Sequence, residues 1–205
     1  MKLQALSILA MLALTACAGR GAINLSPLTS GPSATFNLVD QRPEDEKIRK
    51  GVANNPANPL SQIVYINHGD QNFQPDRLTL LRQTLARKAG QPLMGKQLIL
   101  LHFTVREYPR GSIAQSRAAA SAAVSPVLPS LLESGDQTDT VEVEITLSLD
   151  GRHYAAQTRM SYRLGTVWSA SYESSAFQTA TRKATETAIN DVADKIARST
   201  GSQPH

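Results

Sequence analysis

The chain has 205 residues, 41% of them apolar and only 5% aromatic, enough for one mainly aliphatic core. Its 21 Lys and Arg against 17 Asp and Glu leave a formal charge of +4, spread along the chain without a cluster, so no nucleic-acid footprint is indicated. A single cysteine excludes both an intramolecular disulfide and a cysteine-based zinc site.

Lys2 supplies a positive n-region, and Leu3 to Leu14 is an apolar run of signal-peptide length, too short to span a bilayer. Leu14-Thr15-Ala16-Cys17 follows: a large apolar residue, two small ones and the sole cysteine. The arrangement resembles the lipobox of bacterial lipoproteins. That resemblance implies cleavage of residues 1–16 between Ala16 and Cys17, with acyl chains such as palmitate on Cys17 as the membrane anchor. Ordinary secretory cleavage near Ala16 or Ala18 is the alternative. Enterobacterial lipoproteins kept in the inner membrane carry an aspartate after the cysteine. Ala18 in that place implies the outer membrane, periplasmic face. Residues 18–33 (AGRGAINLSPLTSGPS) are rich in Gly, Ser and Pro without a period, so 17–33 reads as a lipidated cysteine and a flexible tether.

Ala34 to Asp40 alternates Phe36 and Leu38 on one face, a first strand. It stops in Asp40-Gln41-Arg42-Pro43. Two readings fit this group: Asp40 caps the turn and Arg42 pairs with it or with a carbonyl, or Asp40, Gln41 and Arg42 form a partner contact. Glu44 to Gly51 reads as a charged, solvated stretch, and Val52 to Pro59 as turn-rich loop. Gln62 to Asn67 is a second strand. Pro75-Asp76 opens a helix capped by Asp76, with Leu78, Leu80, Leu81, Leu85 and Ala86 on one side, closing at Lys88 and Gly90. Gln97 to Arg106 reads as a buried central strand.

Val141 to Leu149 alternates strictly, and Asp150-Gly151 is a strong hairpin signal before a return strand, His153 to Leu164. Ser174 or Ser175 is expected to cap a helix from Ala176 to Arg198, whose stripe Phe177, Ala180, Ala184, Ala188, Val192 and Ile196 faces a core. The expected whole is an α+β domain over 34–198: an antiparallel sheet of about five strands with two helices packed on one face. An Ala/Ser/Pro-rich insertion at 108–138 interrupts it, read as a surface flap, an oligomer or partner contact, or a membrane-inserting segment. Residues 199–205 read as a disordered tail.

No catalytic constellation stands out. His68, His102, His153 and His205 match no zinc spacing, and no nucleophile elbow or Gly-rich phosphate loop occurs. His102, inside an apolar strand, reads as a hydrogen-bonded structural histidine. His68-Gly69-Asp70 would need Arg42 in a shared pocket to suggest an active site. No cofactor and no metal is therefore expected.

Leu38 to Arg42, the helix Asp76 to Lys88 and the segment Val141 to Tyr162, placed after a lipobox, resemble the YajG-type outer-membrane lipoproteins. The order of elements is also similar to periplasmic domains of curli-secretion and Pel-export lipoproteins. The resemblance implies a non-enzymatic envelope protein that works through protein partners, with a homo-oligomer as a further expectation. A carrier or sensor of an apolar envelope ligand is the competing reading.

Overall fold

The computed structural model describes residues 22–26, 36–53, 63–109, 138–163 and 170–201. The signal segment, Cys17, nearly all of the 108–138 insertion and the last four residues lie outside them.

The hairpin signal is where the sheet begins. Asp150 and Gly151 both have positive φ, 50° and 77°, as a two-residue hairpin turn requires. They join β7 (Thr138–Leu149) to β8 (Arg152–Arg163), paired without a shift from Leu149↔Arg152 to Thr138↔Arg163. Period-two alternation leaves Val141, Val143, Ile145, Leu147 and Leu149 no more than 2% exposed. On the other side of β7 runs β6 (Gln97–Tyr108), antiparallel, with a bulge between Leu100 and His102. The bulge resets the alternation, so Leu98 and Leu100 before it, and Phe103, Val105 and Glu107 after it, are all buried.

The outer edge of β6 is shared by two strands. β2 (Asn37–Asp40) pairs parallel with residues 97–100, and β4 (Ile63–Asn67) pairs antiparallel with residues 106–107. β3 (Lys50–Ala53) lies outside β4 and completes a six-stranded sheet. Between β2 and β4 a short helix, α1 (Glu44–Lys47), closes the ladder. Gln41 N donates to Leu100 O, Phe103 N to Glu46 Oε2 at 3.0 Å, and His68 N to Val105 O. The stretch expected to be solvated is therefore structural. Glu46 is 8% exposed because its carboxylate stands in for a missing strand carbonyl.

Two helices cover one face of the sheet. Asp76 caps α2 (Arg77–Leu93), accepting from Leu78 N at 3.2 Å. The helix breaks at Ala89 (φ −131°), beside the expected end, then resumes to Leu93. That break precedes Pro92, which has no N–H to continue a regular ladder. α3 (Ala170–Gly201) begins ahead of the serines expected to cap it and runs past Arg198. Ser is tolerated within a helix, and no Gly or Pro separates Ala170 from Ser175. Its end is held by Ser199 Oγ donating to Tyr154 Oη (2.8 Å) and Thr200 Oγ1 to Ile196 O (2.7 Å), so the expected tail begins later than residue 199. Lys88 Nζ meets both oxygens of Asp194 at 2.9 Å and ties the helices together.

The largest correction concerns the tether. β1 (Ile23–Asn24) pairs parallel with β5 (Phe73–Gln74), and Leu25 N donates to Gln74 O at 2.8 Å. Ile23 is 1% and Leu25 3% exposed, inside the same core as the helices. Burial of each contributes about 1.5–3 kcal/mol. Two branched apolar residues within a Gly/Ser/Pro-rich run suffice to dock it.

Candidate functional site

The end of β2 leads directly into a network of two arginines and two aspartates. Arg42, its side chain fully buried, donates from Nε and Nη2 to the two oxygens of Asp40, each at 2.9 Å. From Nη1 and Nη2 it reaches both oxygens of Asp70 at 3.0 and 2.9 Å. Asp70 opens the turn after β4, and Gly69 before it is required by space: a Cβ there would sit 2.6 Å from Ile48 Cα and closer still to Lys47 O. Arg77, from the first turn of α2, donates from Nε to Asp70 Oδ1 (2.6 Å) and from Nη2 to Glu46 O (2.8 Å). Its guanidinium lies 5.3 Å from the Phe73 ring centre and 4.7 Å from that of Phe103.

The electrostatics follow from these contacts. The Arg42 hydrogen bond holds the Asp40 carboxyl below its usual value. Burial opposes the charge on Asp70, but hydrogen bonds and charge from Arg42 and Arg77 outweigh it and lower its pKa as well. Burial also opposes the Arg42 charge, and its two aspartates more than compensate. Nearly complete burial lowers the pKa of Arg77, against the pull of Asp70. Chemically this is a rivet joining β2, the Asp70 turn, α1 and α2. The Asp40–Arg42 pairing was legible in the sequence; Asp70 and Arg77 were not, because 28 and 35 residues separate them from Arg42. Of the three residues considered for partner contact, Gln41 is exposed, Asp40 is 25% exposed at its side chain, and Arg42 turns inward.

His68 does not join Asp70. Its Nε2 lies 3.0 Å from Glu107 Oε2, with the ring 5.1 Å from that of Phe177. The Tyr162 hydroxyl donates to Glu107 Oε1 at 2.7 Å and lies 3.4 Å from Asp139 Oδ2. This second polar group is buried under the N-terminal part of α3, so His68, Asp70 and Arg42 form no common pocket. His102 sits on the opposite face with Nδ1 2.7 Å from Glu46 Oε1, hydrogen-bonded as expected for a structural histidine. His153 is exposed, and His205 is outside the described residues. Among the described residues no group of three or more His, Cys, Asp or Glu could hold a metal.

The face of the sheet turned away from the helices carries a second concentration of charged and aromatic side chains. Arg159 of β8 pairs with Glu142 of β7 through Nε (3.0 Å) and Nη2, and lies 5.7 Å from the Tyr108 ring centre. Tyr108 Oη donates to Glu142 Oε1 at 3.3 Å, and burial together with the Glu142 charge raises the pKa of that phenol. Arg106 reaches Glu144 at 3.5 Å and lies 5.6 Å from the Tyr65 ring, itself 5.9 Å from Tyr108. The strand register places these residues side by side, and their spacing of two along each strand puts them on one face. Sequence reading saw only that this face was polar. Its aromatic partners come from separate strands.

A cavity of about 350 Å³ lies between β8 and α3, lined by Met160, Tyr162, Ala176, Ala180 and Lys183 among others. Comparison with protein-family models, curated proteins and solved structures finds no match to this chain.

Proposed function

We propose that this chain is a non-enzymatic lipoprotein of the bacterial outer membrane whose periplasmic domain binds protein partners or supports assembly of an envelope complex. The observation that carries the reading is the face of the sheet turned away from α2 and α3, with Tyr65, Arg106, Tyr108 and Arg159 held by Glu142 and Glu144. Tyrosine and arginine dominate the energetics of protein interfaces. Here they stand on rigid strands in fixed pairs, so binding would order few new side chains. The lipobox and the YajG-type resemblance supply the compartment, with Cys17 as the anchored residue. Confinement to one membrane surface raises effective concentration, so modest affinity is enough.

Photo-crosslinking groups at Gln157 and Ser161, on this face, should capture a discrete partner in cells; the same group at Thr79 or Gln91 on α2 should not. Arg106→Glu with Arg159→Glu should abolish that capture; because it also sets like charges against Glu142, the milder Arg106→Gln with Arg159→Gln, shown folded by its thermal transition, should weaken capture as well. Equal capture from both faces, or capture that survives the charge reversal, would refute the assignment. The cavity beside β8 favours a second reading, a carrier of an apolar envelope ligand. Saturable binding of an apolar fluorescent probe, with no partner captured from the sheet face, would select it.

A further inference from the structure

The outer surface of the helix layer carries more basic than acidic side chains among the described residues. Among the described side chains of α2 and α3, every fully exposed charged residue is a cation: Arg82, Arg87, Arg182, Lys183 and Arg198. α2 contains no acidic residue at all. The three acidic residues of α3 whose side chains are described share this surface, the Asp191 and Asp194 side chains being 42% and 50% exposed, but each is engaged. Glu186 Oε1 accepts from Ser26 N at 2.9 Å, Asp191 pairs with Lys195 at 2.8 Å, and Asp194 with Lys88 at 2.9 Å. Arg82, Arg87, Arg182 and Lys183 make no ion pair among the described residues. The net effect is a surface with an excess of basic charge, directed away from the sheet.

The chain enters the domain in the same layer. β1 is docked against β5 and α3, with Ser26 fastened to Glu186 near the middle of that helix. Only residues 18–22 lie between Cys17 and Ile23, a span of at most about 22 Å fully extended. We infer that the basic outer surface of α2 and α3 rests against anionic phospholipid headgroups, leaving the opposite sheet face directed toward the periplasm. The nearness rests on the lipid-anchor reading of Cys17; the charge does not. A juxtamembrane cation gains from an anionic leaflet within a Debye length of about 8 Å, so holding this layer near the bilayer is what makes the charge effective. Phosphate headgroups are the occupant because the surface is net cationic and, among the described side chains, its one large exposed apolar group is Met94 at the C-cap of α2, which suits a headgroup layer better than an acyl interior.

The test uses the mature chain with Cys17→Ser, so that acylation cannot supply the binding. Co-sedimentation is measured with vesicles of phosphatidylglycerol mixed into phosphatidylcholine, and with phosphatidylcholine alone. The expected result is at least about tenfold stronger partitioning onto the anionic vesicles, lost at high salt. The quadruple variant Arg82→Gln, Arg87→Gln, Arg182→Gln, Lys183→Gln should lose the difference. Arg49→Gln with Lys50→Gln, at the start of β3 on the far edge of the sheet, should keep it. The variant Arg82→Lys, Arg87→Lys, Arg182→Lys retains the charge and should bind like the parent, which separates charge from folding. Equal partitioning onto both vesicle types, or anionic binding that survives the quadruple change, would overturn the inference. Failure of the anchor reading is detected separately, as an unacylated Cys17 in the mass of the native mature N-terminus.

Discussion

Arg42 and Arg77 grip Asp70 from two sides, and Arg42 holds Asp40 as well, so the charge state of two carboxylates governs how β2 is fixed to α2. Both carboxyl pKa values lie below the ordinary 3.8 in the folded protein. A group whose folded pKa is depressed stabilises the fold above its unfolded value and loses that contribution as pH falls through the folded one. The network therefore contributes fully at neutral pH, begins to weaken below about pH 4, and is lost only as pH falls through the depressed folded values. Asp70→Asn should be less stable than the parent at neutral pH, yet lose less stability between about pH 7 and pH 3, because one of the linked protonations is gone. Urea midpoints at the two pH values read this directly. Parallel losses in parent and variant would show that Asp70 is not part of the acid response.

At the scale of elements, β1 is the piece whose role changed most. Ile23→Ser replaces a side chain that is 1% exposed with a smaller polar one, and should cost about 2–4 kcal/mol in urea unfolding. A true tether would show no change in midpoint. The reason β1 was not legible is compositional. Ile23 and Leu25 sit among Gly, Ser and Pro, and two residues are too few to establish a period. β7 and β8 were legible for the opposite reason: five consecutive alternations and an Asp-Gly turn each point to the same hairpin. α1 was hidden by charge, since Glu46 reads as solvated until the break in strand pairing along β6 explains its burial. The start of α3 was misplaced because Ser174 and Ser175 have the chemistry of a cap without a breaker before them. In the candidate site the local pair Asp40–Arg42 could be read from adjacency. The Tyr–Arg–Glu face could not, because it needs the register of β4, β6, β7 and β8 together.

For the molecule as a whole, the pairing of β6 with β7 decides what residues 110–137 contribute to folding. The two strands remain in register to Tyr108↔Thr140, so their ends already stand at hairpin distance. A connection of two to five residues would join such strands. Replacing residues 110–137 with a two-residue Gly/Asn turn should therefore preserve the sheet. It should also lower the closure entropy, by about 1–1.5 kcal/mol if the segment behaves as a flexible loop. The expected outcome is a thermal midpoint equal to or above that of the parent. Partner capture from Gln157 and Ser161 then reads the segment's function independently of stability. Capture that persists confines recognition to the strand face, whereas capture lost from a stable domain makes the segment part of the docking surface. A collapse of the thermal midpoint would instead make the segment part of the core and end the view of it as an insertion.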